Sequence, residues 1–118
     1  MRQILVSWPE AMPVEGFGPG FFRIHGHLLR GPSLITPWDA GPWGGLEDWA
    51  TPLELRGRID VLILGLGDTI FHPPRPFRNA LEAEGIGIEP MASPIACRSY
   101  NLLIGEGRRV ALAVLPVS

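Results

Sequence analysis

Three groups of residues in this chain have side chains and spacings that could do chemistry. The first is Gly65-Leu66-Gly67-Asp68, which follows the apolar run Val61-Leu62-Ile63-Leu64. A glycine-bearing exit from a buried strand is where open α/β sheets bind ligands. The second is Arg98 with Asn101, one helical turn apart on a single polar stripe. A guanidinium fork near a helix N-terminus suits a carboxylate or phosphate. Together Gly65, Gly67, Asp68, Arg98 and Asn101 make a candidate anion-binding set. The third is Trp38, Trp43 and Trp49, spread among prolines and glycines, which suits anchoring to a protein partner.

Each group has a plainer reading. Ile70 stands where a dinucleotide loop would place glycine, and no lysine exists anywhere to reach a phosphate. Asp68 would repel an anion, so the loop also reads as a tight strand exit made by glycine. The Arg98 stripe also reads as an ordinary solvated helix face. Cys97 lies beside Arg98 in the expected first turn of that helix, where a thiol pKa falls. No histidine is placed to serve it as a base, and burial is the commoner fate of a lone cysteine. His25-Gly26-His27 offers two imidazoles but no third metal ligand. No catalytic residues, metal site or cofactor are assigned on these patterns.

Positioning elements can be read around these residues. Pro9, Pro13, Gly16, Gly18 and Pro19 give residues 1–15, and a little beyond, an extended character. From Phe21 to Leu29 the chain alternates: Phe22, Ile24 and Leu28 one way, Arg23, His25 and His27 the other. That is one half-buried strand, with a turn at Arg30–Ser33 and a hairpin partner starting at Leu34-Ile35. The stretch from Thr36 to Leu55 is expected to be a long structured loop pinned by its tryptophans. Asp60–Leu64 is a strand buried on both faces. A helix from about Pro76 to Glu84 stops at Gly85, with Phe77 and Leu81 inward. Ile86–Glu89 is a short strand. Ser93 caps a helix that Pro94 begins and Gly107 ends, and Val110–Val117 is the final strand. This order requires an α/β core with parallel pairing.

With 118 residues, the chain is expected to form one domain. Hydrophobic residues make up 46% and charged residues only 19%, so uncovered apolar surface and a protein partner are plausible. A net charge of −2 argues against nucleic acid. One cysteine excludes an internal disulfide and fits a cytoplasmic setting. No apolar run approaches the roughly 20 residues of a spanning helix. Contact with a membrane would therefore be peripheral, through a partner, and a homo-oligomer stays open.

Several segments resemble a known family. They are Gly20-Phe21-Phe22-Arg23-Ile24-His25-Gly26, Leu62-Ile63-Leu64-Gly65-Leu66-Gly67, Gly85-Ile86-Gly87-Ile88-Glu89-Pro90-Met91, Arg98-Ser99-Tyr100-Asn101-Leu102-Leu103 and Glu106-Gly107-Arg108-Arg109-Val110. From about Gly16 to Val117 the chain is similar to a small archaeal, bacterial and mitochondrial domain family of unknown molecular activity. That family includes mitochondrial complex I assembly factor 3. The resemblance implies a single α/β domain, a layered mixed sheet with flanking helices and a β-hairpin region. It implies no established enzyme activity and no cofactor. Leu66, Ala92 and Ser99 depart from the expected pattern, and loss of an acid at 92 weakens a catalytic pocket. Two functions follow. One is a non-enzymatic interaction protein that helps assemble a respiratory or translocation complex at the inner membrane. The other is a small anionic-ligand binder, or an unrecognised enzyme, using the Gly65–Asp68 loop and Arg98.

Overall fold

The computed structural model describes residues 2–118. The chain opens with β1 (Val6–Ser7), β2 (Val14–Gly18), β3 (Phe21–Ile24) and β4 (His27–Arg30). It continues through β5 (Ser33–Ile35), β6 (Asp39–Pro42), α1 (Ala50–Leu53) and β7 (Val61–Leu66). It closes with α2 (Arg75–Glu82), β8 (Gly87–Met91), α3 (Ser93–Gly105) and β9 (Val110–Leu115). Six strands form one mixed sheet in the order β1-β6-β5-β9-β7-β8, while β2-β3-β4 make a separate antiparallel sheet.

β7 sits between β8 and β9 and runs parallel to both. A parallel neighbour requires a crossover, and α2 and α3 supply the two crossovers. The first steps outward from β7 to β8; the second steps back past β7 to β9. The right-handed rule therefore puts the two helices on opposite faces. Burial agrees: Ile63, Leu112 and Val114 pack with Ala96, Cys97 and Tyr100 of α3. Leu62, Leu64, Ala111 and Ala113 pack with Phe77 and Leu81 of α2. The small sheet joins the α3 face through Val14, Phe22, Ile24 and Leu29. Tyr100, Phe22 and Phe77 are wholly buried, each contributing about 1.5–3 kcal/mol by leaving water. Pro90 pairs opposite Leu64, which is tolerated because β8 is an edge strand.

The fold corrects four local expectations. Phe21–Leu29 is not one strand. His25 and Gly26 both have positive φ (50° and 76°), and Ile24 pairs with His27. That is a two-residue hairpin turn of the primed kind, which the alternation concealed. It moves Leu29 into the core and turns Leu28 out. β5 pairs with β6 and β9 and not with the strand before it, so the expected hairpin across Arg30–Ser33 is absent. The Thr36–Leu55 loop contains β6 and α1. Ser93 does not cap α3; Ala92 occupies that position, and the serine hydroxyl is used elsewhere.

Candidate functional site

The end of β7 is built around Ser93. Its hydroxyl accepts a hydrogen bond from the Gly67 amide (2.8 Å) and donates to the Leu115 carbonyl (2.5 Å). Its own amide donates to the Gly67 carbonyl (2.8 Å). One residue thus ties the exits of β7 and β9 to the start of α3. Gly65 allows this approach: a Cβ there would lie 2.6 Å from Val114 Cγ2 and 2.9 Å from Ser93 Oγ. Asp68 accepts from the Ser118 amide (3.1 Å) and from the Ser118 hydroxyl. Those donors hold its carboxyl below the usual carboxylate range. The polar groups of Gly67 and Asp68 are therefore engaged within the protein.

Arg98 and Asn101 lie elsewhere. They line a groove of about 250 Å³ with Glu15, Phe17 and Pro94, and the Gly65–Asp68 loop is not part of it. Asn101 bonds both polar groups of Val14: the Val14 amide donates to Oδ1 (2.7 Å), and Nδ2 donates to the Val14 carbonyl (2.9 Å). Arg98 is exposed and makes no ion pair among the described residues. Cys97 is buried rather than poised in a first turn, and burial pushes its thiol up to about 11. That is the opposite of the activation a nucleophile requires. His25 stands in the hairpin turn and His27 in the following strand, with ring centroids 6.4 Å apart. No cluster of three metal-ligating side chains occurs among the described residues.

The tryptophans divide. Trp43 is buried, tilts against Phe77 with centroids 5.9 Å apart, and donates from Nε1 to the Asp48 carbonyl (2.9 Å). Trp38 is half-buried under the Arg58 guanidinium, which sits 3.8 Å from the ring centroid. Trp49 is exposed. Asp39 is held by Arg2 through two bonds (2.7 and 2.9 Å) and by the Thr36 hydroxyl (2.9 Å), and makes no ion pair with Arg98. Tyr100, wholly buried, has no partner for its hydroxyl among the described residues. Burial, with Asp39 adding to it, raises the Tyr100 pKa.

The surface that sequence reading missed is a cleft of about 610 Å³ between β4 and the N-terminal segment, lined by Ile4, Leu5, Leu28, Leu29 and Arg30. Leu5 is 64%, Ile4 54% and Leu28 42% exposed. Among the described residues β4 pairs only with β3. Ile24 and His27 close the two-residue turn as a hydrogen-bonded pair, so antiparallel alternation sends the main-chain groups of Leu28 and Arg30 to the open edge. An open edge beside apolar side chains is a template for an added strand. The signal was present in His25-Gly26: a two-residue turn ending in glycine breaks the alternation and exposes Leu28.

This geometry defines a class: a mixed α/β domain whose Ser93, Asp68 and Asn101 side chains bond its own chain and whose β4 edge stands open beside apolar side chains. The chain belongs to the family described as a protein of unknown function (DUF498/DUF598), whose model matches residues 14–115. It is 47% identical over 107 residues to an uncharacterised protein of Rhodobacter capsulatus, covering 91% of this chain and 86% of that one. It is 27% identical over 115 residues to bovine NADH dehydrogenase [ubiquinone] 1 alpha subcomplex assembly factor 3, covering 92% of this chain and 62% of that protein. The crystal structure of an outer membrane protein from Bartonella henselae is similar, with a TM-score of 0.84 and 28% identity. That match covers 94% of this chain and 99% of the other. No helix among the described residues is long and apolar enough to cross a membrane.

Proposed function

We propose that this chain is a non-enzymatic interaction protein that assists assembly of a membrane-associated respiratory complex, acting from the cytoplasmic side through protein partners. The observation that carries the reading is the apolar cleft beside the open edge of β4, where Leu28, Ile4 and Leu5 stand in solvent. Such a surface suits an extended segment of a partner, with main-chain pairing to Leu28 and Arg30. The relationship to a complex I assembly factor supports the kind of partner; the chain spans 62% of that protein's length.

The test is affinity capture of the tagged protein from its own cells, with mild cross-linking and mass spectrometry. Recovery of NADH dehydrogenase subunits, lost on Leu28→Asp with the fold intact by circular dichroism, is the expected result. Equal recovery with the folded variant would remove the β4 edge from the mechanism. A second reading, a small anionic ligand in the groove at Arg98, is favoured by the lack of an ion pair there. Native mass spectrometry of the wild type and Arg98→Ala tests it: a bound anion that the variant lacks supports it, and identical spectra exclude it.

A further inference from the structure

Three arginines from two parts of the chain line one small depression at the opposite end of α3 from Ser93. Arg58 comes from the turn before β7, and Arg108 and Arg109 come from the turn after α3. Trp38, Pro37 and Ile104 form its apolar wall, and its volume is about 220 Å³. The turn after α3 fixes the pair. Gly107 has φ of 75°; its amide donates to the Ile104 carbonyl (3.0 Å) and the Arg108 amide donates to the Leu103 carbonyl (3.0 Å). These two bonds close the helix in a Schellman motif, which satisfies the Leu103 and Ile104 carbonyls and leaves the Arg108 side chain exposed. Arg58 sits over Trp38 in a cation–π contact, 3.8 Å from the ring centroid. Arg109 is neutralised in part by Asp60, 3.5 Å away, and donates to the Gly57 carbonyl (2.9 Å). No ion pair to Arg58 or Arg108 occurs among the described residues.

A local excess of guanidinium charge in a chain whose net charge is −2 is self-repulsive, and an anion between the forks relieves it. We propose that the Arg58–Trp38–Arg108 depression docks an acidic, apolar-flanked segment of a protein partner. The size supports this, being below the roughly 300–1,000 Å³ of a typical small-molecule pocket and suited to one or two side chains. The apolar wall supports it too: Trp38, Pro37 and Ile104 offer a bare inorganic ion nothing, but pack against an aliphatic neighbour of the carboxylate. The inference rests on the partner-binding reading above but uses a different surface.

The experiment is an NMR titration of the full chain with a synthetic peptide of alternating glutamate and leucine, with its glutamine analogue and sodium phosphate as controls. The glutamate peptide is expected to shift the Trp38 indole and the Arg108 amide. Arg108→Glu is expected to weaken binding by roughly tenfold or more, since a like charge replaces an attractive one. Raised salt should weaken binding as well. No movement at Trp38, equal movement with the glutamine peptide, or equal movement with phosphate at matched concentration would each overturn the proposal. Arg108 contributes only main-chain groups to the turn, its amide to Leu103 and its carbonyl to Val110, so the variant should fold; Arg58→Gln is the second variant if it does not. Loss of subunit capture in Leu28→Asp, with peptide binding retained, would separate the failure of one surface from the failure of the other.

Discussion

Asn101 of α3 grips the main chain of Val14 by both of its polar groups, at 2.7 and 2.9 Å, across 87 residues of sequence. The Val14 amide can only donate, so the asparagine oxygen must face it and the nitrogen must face the carbonyl. This pair joins the small sheet to the helix. Asn101→Ala should therefore cost about 2 kcal/mol, two net hydrogen bonds with their partners left bare. Asn101→Asp should be no better, because it loses the donor and sets a carboxylate against the Val14 carbonyl. Urea midpoints of the two variants check this; a loss in the alanine variant alone would contradict it.

Gly65 makes a second structural prediction. Gly65→Ala drives its Cβ into Val114, a stiff β-branched side chain, and should cost about 1–3 kcal/mol by overpacking. The same change on a Val114→Ala background should cost less, by about 1 kcal/mol, since the two positions touch. Equal costs in both backgrounds, measured by denaturant unfolding, would show that the contact is not the reason for glycine.

The back half of the fold was legible because its signals are local. Val61–Leu64 is apolar without alternation, Gly85 and Gly107 mark the ends of the turns after the two helices, and strand–helix–strand order implies parallel pairing. The front half was read less well for a physical reason. His25-Gly26 makes a two-residue turn inside an alternating run, and alternation survives on each side of such a turn while its inward face changes. Leu28 and Leu29 exchanged roles on that account. Ser93 shows the other limit: a serine before a helix is a good cap by type, but here its hydroxyl serves Gly67 and Leu115, 26 and 22 residues away. The partners of Asn101, Gly67 and Asp68 lie 87, 26 and 50 residues away, and no local spacing encodes contacts of that range.

Trp43 and Trp49 are separated by burial, not by residue type. Trp43 is 4% exposed and packs on Phe77, whereas Trp49 is 40% exposed. Trp43→Ala should cost about 3–5 kcal/mol, as large aromatic truncations in cores do. Trp49→Ala should cost less than about 1 kcal/mol, as surface changes do. Partner capture is informative only in the second variant, because the first changes how much folded protein there is. Thermal unfolding of both variants decides the point, and similar melting temperatures would contradict the assignment of Trp43 to the core.

Asp48 holds the loop that carries both tryptophans. Its burial would raise its pKa, but donors outweigh that: the Thr51 hydroxyl (2.5 Å), the Gly44 amide (2.9 Å) and the Thr51 amide (3.0 Å). The net effect lowers it from its ordinary 3.8. A carboxyl depressed on folding takes up protons more readily when unfolded, so its contribution is complete above 3.8 and is lost as pH falls through the lower folded value. Stability should accordingly fall with acid below about pH 4, and Asp48→Asn should remove part of that slope while lowering stability at neutral pH. Asp68, depressed by Ser118, acts in the same direction, so a residual slope is expected. Unfolding midpoints across this acid range for wild type and variant test the assignment. Parallel curves would show that Asp48 titrates alike in the folded and unfolded chain.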